Sequence, residues 1–246
     1  MLLILPPSET KRDGGVEGST LDLAALGFTA LTPQRETALA ALTSLSRSVE
    51  KSTAALKLGP TQRFEIDRNR ALRRSPTMPA VDRYTGVIYD ALDAVTLSAE
   101  ARAFAAQHLA IGSALFGLLR SHDPIPAYRL SHDSRLPGLA LGRLWRAGVE
   151  AELRQQEGLI LDLRSEAYAH LGRAPMGSLY LRVLTEGPDG RRTALSHFNK
   201  HAKGEFTRRV LEAGIVHEDA ESLIRWAQER QINLDYGETG ELDLVV

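Results

Sequence analysis

The chain has 246 residues, of which 43% are hydrophobic and 25% are charged, and its formal net charge is -1. This composition is typical of a soluble globular protein, and the near-zero charge argues against nucleic-acid binding over the whole surface. Cysteine is absent. Disulfides and thiolate chemistry are therefore excluded, and we expect a reducing, cytoplasmic environment.

The charge is nevertheless unevenly distributed along the chain. Residues 43–83 carry a net charge of +5, as do residues 191–211, whereas residues 212–246 carry -7. The acidic end of the chain therefore balances two basic segments. Local basic faces are compatible with the neutral total.

The first element in chain order is predicted to be a β-strand, the apolar run "MLLIL" at residues 1–5. This run is too short for a signal peptide and lacks the basic segment that precedes the apolar part of one. No later apolar run approaches the roughly 20 residues that a membrane-spanning helix needs. We therefore expect no membrane partner.

Hydrophobic periodicity and capping signals predict helices along much of the chain. Ser98 is suited to cap the start of a helix, Gly59-Pro60 fits a helix end followed by a restart, and Gly214 fits a helix end. An extended linker is predicted at residues 75–81. The predicted helices cover residues 20–27, 33–46, 49–58, about 60–73, 84–95, 99–108, 139–156, 202–214 and about 219–230.

The predicted strands alternate with these helices. "LAIGSALFG" is expected to be a buried strand running into a helix, "GLILDLRS" a buried strand, and residues 178–198 a hairpin that turns at Pro188-Asp189-Gly190. "INLDY" and "ELDLVV" are further strands. This order predicts an α/β fold with a mixed sheet flanked by helices. We expect one domain over residues 1–246, with a helix-rich subdomain at about residues 33–74.

Polar residues follow two of the predicted strands. Ser8 and Lys11 come after the first strand, and Ser165 and Tyr168 follow "LDLR". Ligands of open α/β sheets bind beyond the carboxyl ends of the strands, so these side chains are candidates to hold an anion. The alternatives are a strand end closed by a turn and, for Ser165, a helix N-cap.

The stretch "LFGLLRSHDPIPAYRL" at residues 115–130 turns from apolar to polar and contains two prolines, which would make the loop stiff. Arg120 and Arg129 could clamp a carboxylate or phosphate, and Asp123 and Tyr128 lie between them. A turn in which Asp123 pairs with an arginine is the alternative. His122 has the weakest case for a functional role.

Tyrosine, lysine and histidine side chains in two other stretches are further candidates for chemistry. Tyr84 of "YTGVIYDAL" is either a packed core aromatic or a site residue on a helix face. In "SHFNKHAKGEF", Lys200 and Lys203 are candidates to face an anion, whereas His197 and His201 lack a convincing metal-binding pattern. We therefore predict no metal. Dinucleotide, P-loop and nucleophile-elbow motifs are absent, so we predict no cofactor.

Taken together, these segments resemble the YaaA family of peroxide stress proteins. The matching pieces are "LLILPPSETK", "YTGVIYDAL", "GSALFGLLRSHDPIPAYRL", "LPGL…LW", "LDLRSEAY" and "SHFNKHAKG", which follow the family's order over nearly the whole chain. The resemblance implies a cytoplasmic protein of the oxidative stress response that limits damage linked to free intracellular iron. It also implies DNA binding through a basic cleft and a helix-hairpin-helix-like element.

Carried over by position, the hairpin element would span residues 49–71, in the first basic segment. Its predicted DNA-binding residues are Lys57, Gly59, Arg63, Arg68 and Arg70, with duplex or branched DNA as the partner. The cleft would gather Ser8, Lys11, Tyr84, Arg120, Asp123, Tyr128, Arg129, Ser165, Tyr168, Lys200 and Lys203.

The alternative function is an enzyme that acts on an anionic small molecule bearing a phosphate or carboxylate. Its catalytic residues would come from Ser8, Lys11, Asp123, Tyr128, Ser165 and Lys200, because such a mixture suits anion binding combined with acid–base or nucleophilic chemistry. Whether the chain is an enzyme stays open at this point.

Overall fold

The computed structural model describes residues 1–188, 190–194 and 198–246. The turn residue Asp189 and His197 therefore lie outside the described residues. The strands, in chain order, are β1 (Leu2–Leu5), β2 (Met78–Pro79), β3 (Leu109–Ser113), β4 (Gly117–Arg120), β5 (Pro124–Ile125), β6 (Ile160–Asp162), β7 (Leu179–Glu186), β8 (Arg192–Ala194), β9 (Asn233–Tyr236) and β10 (Glu241–Val245).

Helices separate most of these strands, which confirms the predicted α/β class. They are α1 (Thr32–Leu45), α2 (Val49–Ala55), α3 (Phe64–Arg70), α4 (Ala80–Arg83), α5 (Val87–Leu92), α6 (Ala99–His108), α7 (Leu141–Arg154), α8 (Glu166–Ala169), α9 (Asn199–Ala213) and α10 (Ala220–Glu229).

The main sheet has the strand order β4-β3-β1-β6-β7-β10-β9, and β8 pairs with β7. Strands β3, β1, β6, β7 and β10 are parallel to one another, whereas β4, β8 and β9 run antiparallel to their neighbours. The predicted mixed sheet is therefore confirmed. Counted along the chain, the five parallel strands have the order 2-1-3-4-5, which reverses direction beside β1 and is an order of doubly wound sheets.

Local signals account for several helices where the sequence predicted them. Ser98 accepts a hydrogen bond from the Ala101 N–H at the start of α6, and Asp219 accepts one from the Ser222 N–H at the start of α10. Gly214 ends α9 in the left-handed region, with φ 61°. Each of these signals lies within one turn of the helix end that it stabilises.

The prediction of a helix after the strand in "LAIGSALFG" was wrong. After β3 the chain turns and returns as β4, with Ser113 paired to Gly117. The Ser113 Oγ accepts hydrogen bonds from the Leu115 and Phe116 N–H groups, and Gly117 has a φ of 74°. This turn forms inside the core, where every residue of the stretch is buried, so hydrophobic alternation gave no sign of it.

The predicted helix over residues 20–27 is only a short 3-10 turn, Leu23–Ala25. Gly27 and Phe28 end it, because the Gly27 N–H donates to Asp123 and Phe28 adopts the left-handed region with φ 53°. The predicted linker at residues 75–81 contains β2 and the start of α4.

Tyr84 does not lie on the face of a helix, as was predicted for residues 84–95. Its backbone forms an antiparallel bridge with Lys11, and α5 begins only after Gly86, whose φ is 98°. The break places the Tyr84 ring 5.2 Å from the Nζ of Lys11, in the segment that follows β1. Helices α5 and α9 pack closely, since a Cβ added to Gly204 would lie 2.3 Å from the Ile88 carbonyl oxygen.

Candidate functional site

Polar side chains gather at the carboxyl edge of β1, β3 and β6, where the strand order reverses. Such an edge is where open α/β sheets bind ligands. We call these residues the carboxyl-edge cluster: Ser8 and Lys11 after β1, Tyr84 and Tyr128 beside them, Ser113 at the end of β3, Asp162 and Arg164 at the end of β6, and Lys203 of α9.

Lys11 is a buried cation without an ion-pair partner among the described residues; it is 6% exposed. Its Nζ donates to the carbonyl oxygens of Ser8 at 3.0 Å and Glu9 at 3.3 Å, and it lies 4.0 Å from the centre of the Tyr128 ring. Burial lowers the pKa of Lys11 to about 7, although the nearby Glu65 carboxylate opposes the shift. Near neutral pH the side chain can therefore serve as ammonium or as amine.

Three hydroxyl groups meet next to Lys11. The Tyr128 hydroxyl lies 2.7 Å from the Tyr84 hydroxyl and 2.8 Å from the Ser113 Oγ. Burial raises the pKa of both tyrosines, so both keep their protons at neutral pH. Tyr89 is packed against Tyr84 with ring centres 5.2 Å apart and donates to the Pro6 carbonyl oxygen.

A second buried lysine lies at the end of β6. The Lys203 Nζ donates to the Leu163 carbonyl oxygen at 3.1 Å and lies 4.8 Å from the centre of the Tyr180 ring. Burial lowers the pKa of Lys203 to about 8, and the Asp162 carboxylate opposes that shift. Asp162 itself is paired with Arg164 through two side-chain hydrogen bonds of 2.9 and 2.7 Å.

Arg164 connects the ends of neighbouring strands. A Cβ added to Gly112 of β3 would lie 3.1 Å from the Arg164 Cδ and 3.7 Å from the Leu5 carbonyl oxygen. The arginine therefore passes over the ends of β1 and β3 while its charge is held by Asp162. The glycine leaves the room that this close approach requires.

Of the remaining predicted residues on this side of the sheet, Arg129 is buried whereas Tyr168 and Ser8 are half-buried. Arg129 is buried and paired with the exposed Glu9 at 2.6 Å, and Tyr168 is half-buried with its ring 5.0 Å from that of His132. Ser8 is half-buried, with its Oγ 3.2 Å from the Thr10 hydroxyl.

Ser165 and Lys200 are exposed. Ser165 occupies the N-cap position of α8, as its alternative interpretation predicted, but its side chain makes no capping hydrogen bond. Among the described residues, neither side chain has a hydrogen-bond or ion-pair partner. Their part in a site stays a prediction.

Arg120 and Asp123 lie at the opposite end of the sheet. Strand β4 runs antiparallel to β3, so its last residue, Arg120, pairs with Ala110 near the start of β3. Asp123 accepts hydrogen bonds from the Gly27 and Arg120 N–H groups, both at 2.9 Å, and shapes the loop there. The structure therefore does not bring Arg120 together with Arg129, and the expected clamp is not formed.

The predicted DNA-binding residues lie on and between α2 and α3, and most of their charges are paired within the chain. Lys57 pairs with Asp133, Arg68 with Asp13 and Glu65, and Arg70 with Asp67, whereas Arg63 is exposed without an ion-pair partner among the described residues. The Gly59 N–H donates to the Gln62 side chain at 2.9 Å, and Pro60 has no N–H. The helix-hairpin-helix character of this element is not confirmed.

Ser113 of the cluster, Tyr180 beside Lys203 and Glu65 near Lys11 were missed by the sequence analysis. Ser113 and Tyr180 lie in predicted strands and Glu65 lies in a predicted helix, which gave no reason to single them out. A groove of about 360 Å³ lies beside β6 and β7 and was also missed. Its lining includes Asp162, Glu166, His170, Arg173, Ser178 and Tyr180.

Within residues 1–188, 190–194 and 198–246, no group of three or more His, Asp or Glu side chains is placed to hold a metal ion. In the same described ranges, no helix combines the length and the apolar character required to cross a membrane.

Comparison with known proteins identifies the family. A family model described as "Peroxide stress protein YaaA" matches residues 1–230. The chain belongs to this family. The YaaA resemblance found in the sequence is thereby confirmed, and membership supports a general role in peroxide stress.

Curated relatives extend over most of the chain. A UPF0246 protein of Corynebacterium glutamicum strain R is 46% identical over 214 residues, which cover 85% of this chain and 84% of the relative. A UPF0246 protein of Streptomyces coelicolor is 40% identical over 232 residues, which cover 91% of this chain and 88% of the relative.

Proposed function

We propose that this member of the YaaA family acts in the cytoplasm during peroxide stress by binding an anionic small molecule at the carboxyl-edge cluster. The observation that carries this proposal is the pair of buried lysines, Lys11 and Lys203. Each lies under an aromatic ring and donates to backbone carbonyl oxygens, and neither forms an ion pair within the described chain.

Burying an ammonium group without a counter-ion is costly, so such groups are expected to be neutral or to meet an anion from outside. The chain has five lysines, and the other three, Lys51, Lys57 and Lys200, are exposed. Lys11 follows β1, and Lys203 contacts the end of β6. These two strands are neighbours and lie on either side of the point where the strand order reverses. This placement supports a binding site rather than two unrelated core positions.

The same groups suit acid–base chemistry on the bound molecule. Lys11 has its pKa lowered to about 7 by burial, which is favourable for a group that accepts and returns a proton near neutral pH. Among the six predicted catalytic candidates, Lys11 and Tyr128 are in mutual contact, so an enzymatic function would depend on them first.

Isothermal titration with a panel of anions tests the proposal. The panel contains inorganic phosphate, pyrophosphate, acetate, malonate and adenosine monophosphate. We expect at least one anion to bind, and we expect Lys11→Met and Lys203→Met each to abolish that binding, while the exposed control Lys51→Met leaves it unchanged. Binding that is unaffected by both buried-lysine variants, or no binding by any anion, would contradict the proposal.

DNA binding is the second candidate function. The exposed cations Arg47, Lys51, Arg63 and Arg74 lie in or beside α2 and α3 and form no ion pair within the described chain, which favours a local basic face there. Contacts of this kind with phosphates are independent of base sequence and weaken with salt.

A gel-shift titration with duplex and branched DNA at low salt tests this candidate. We expect the double variant Arg63→Glu/Lys51→Glu to weaken binding strongly. The control Lys57→Glu alters a charge that is already paired with Asp133, so it should have a smaller effect. Absence of binding to either DNA at low salt would eliminate this function.

We also propose that the physiological result is protection from damage linked to free intracellular iron. A deletion strain should then show more peroxide killing and a larger pool of chelatable iron. Complementation with Lys11→Met tests whether the carboxyl-edge cluster is needed: full rescue by this variant would separate the cluster from the stress function.

A further inference from the structure

The hydrogen bonds among the hydroxyl groups beside Lys11 have a donor-to-acceptor direction that follows from the neighbouring backbone N–H groups. The Ser113 Oγ accepts hydrogen bonds from the Leu115 N–H at 3.2 Å and the Phe116 N–H at 3.0 Å. A hydroxyl oxygen has two lone pairs, and both are then in use. Towards Tyr128, at 2.8 Å, Ser113 can therefore act only as the donor.

The direction of this hydrogen bond also fixes the donor between the other two hydroxyl groups, those of Tyr128 and Tyr84. Since Tyr128 accepts from Ser113, its own proton is directed to the other hydroxyl in contact with it, that of Tyr84 at 2.7 Å. Tyr84 then accepts from Tyr128, and because both lone pairs of the nearby Ser113 Oγ are in use, the Tyr84 proton has no free acceptor there among the described residues. A buried donor that lacks an acceptor is costly, and Tyr84 is only 2% exposed.

A second unused donor lies close to the first. The Lys11 ammonium has three N–H groups, and two of them are directed at the Ser8 and Glu9 carbonyl oxygens. The third has no hydrogen-bond acceptor among the described residues. Lys11 and Tyr84 are joined by a backbone bridge, and the Lys11 Nζ lies 5.2 Å from the centre of the Tyr84 ring.

We propose that Lys11 and Tyr84 form a subsite for the terminal oxyanion of a small molecule, with the Tyr84 hydroxyl oriented as donor by the relay from Ser113 through Tyr128. The inference rests on the proposed anion-binding function and names the groups that touch the anion. Lys11 and Tyr84 contact the ligand, whereas Ser113 and Tyr128 are positioning residues.

The burial of these groups defines the kind of ligand. Lys11 is 6% exposed and Tyr84 is 2% exposed, so the proposed subsite favours a small terminal group over a chain that continues on both sides. A backbone phosphate of DNA carries a sugar on each side and does not fit this description. A phosphate monoester or a carboxylate does, and both offer acceptors that charge-assisted hydrogen bonds recognise.

Titration calorimetry with inorganic phosphate and with acetate, in separate arms, tests the subsite. For the anion that binds, Tyr84→Phe should weaken affinity about tenfold or more, because it removes a hydrogen bond to a charged group. The exposed Tyr236→Phe is the matched control and should leave affinity unchanged. The arm that responds identifies the oxyanion.

The outcomes separate this inference from the proposed function. Binding that Lys11→Met abolishes but Tyr84→Phe leaves intact would overturn the subsite and leave the anion-binding function standing. Failure of both phosphate and acetate to bind would also overturn the subsite, while another panel anion that binds through Lys11 would preserve the function. If neither phosphate, acetate nor any other anion of the panel binds, both the subsite and the anion-binding function are refuted.

A measurement on the unaltered fold covers the case in which Tyr84→Phe does not fold. Fluorine NMR of the protein labelled with 3-fluorotyrosine should show a shift of the Tyr84 resonance on anion binding and none for Tyr236. In Ser113→Ala the Tyr84 shift should shrink, because the relay no longer has a fixed direction. An anion-induced Tyr84 shift that is the same in Ser113→Ala and wild type would overturn the relay.

Discussion

Replacing Lys11 with methionine should change how the stability of the protein depends on pH. The Lys11 ammonium is buried under the Tyr128 ring and has no carboxylate partner within the described chain. Burial lowers its pKa from 10.5 to about 7. Methionine has a similar length and no charge, so the variant removes the titrating group from a site of nearly constant shape.

The sign and size of the effect follow from the two pKa values. Between about 7 in the folded protein and 10.5 in the unfolded chain, the unfolded state binds more protons, so stability rises with pH across this window. Below the window the cost of the buried charge is at its full value, and above it the cost disappears. With about 1.4 kcal/mol for each pKa unit, raising the pH from about 7 to about 9 should stabilise the wild type by roughly 2 kcal/mol through Lys11 alone.

Urea unfolding of wild type and Lys11→Met at the two pH values measures this effect. The cation–π contact and the hydrogen bonds of the ammonium form are already included in the lowered pKa, because they exist only while Lys11 is charged. Contributions that do not depend on the charge of Lys11 alter the difference between the proteins equally at both pH values. We therefore expect the difference in free energy of unfolding, Lys11→Met minus wild type, to fall by about 2 kcal/mol between about pH 7 and about pH 9. The exposed Lys51→Met serves as control. An unchanged difference would refute a lowered Lys11 pKa.

Two further substitutions test the packing around the site. Gly204→Ala should destabilise the protein by about 1–3 kcal/mol, because the added Cβ would lie 2.3 Å from the Ile88 carbonyl oxygen, whereas Gly142→Ala, with nothing within 4 Å, should be neutral or slightly stabilising in thermal unfolding. Equal melting temperatures for the two would contradict the close packing of α5 and α9. Asp162→Ala should cost about 3–5 kcal/mol in urea unfolding, because it leaves Arg164 buried without its partner. A wild-type midpoint for Asp162→Ala would show that the pair is dispensable.

Helix ends were predictable because their signals are local. Ser98, Asp219 and Gly214 each act within one turn of their own helix, and the structure has helices starting or ending beside them. The strand–turn–strand of β3 and β4 was not predictable in the same way. Its turn depends on Ser113 and Gly117 inside a stretch that is buried throughout, so no alternation between buried and exposed residues marked it.

The site was predictable only in part. Polar residues after β1 and β6 were recognised from the sequence because both strands were predicted correctly. Their carboxyl ends were expected to lie at the same edge of the sheet. Arg120 is the last residue of a strand and Asp123 follows it, but that strand runs antiparallel, so its end lies at the other edge of the sheet. The direction of a strand is set by its pairing partner, which the sequence near Arg120 does not reveal.

The sequence by itself determined the α/β class, most helix positions, the family, and the two lysines at Lys11 and Lys203 as candidates for an anion site. Only the tertiary structure decided that these lysines are buried without an ion-pair partner among the described residues, that Tyr84 lies outside the predicted helix and beside Lys11, and that the Ser113 hydroxyl contacts that of Tyr128. Local signals act over a few residues, whereas burial and the contacts of the site depend on segments up to 120 residues apart in the chain, the separation of Glu9 and Arg129.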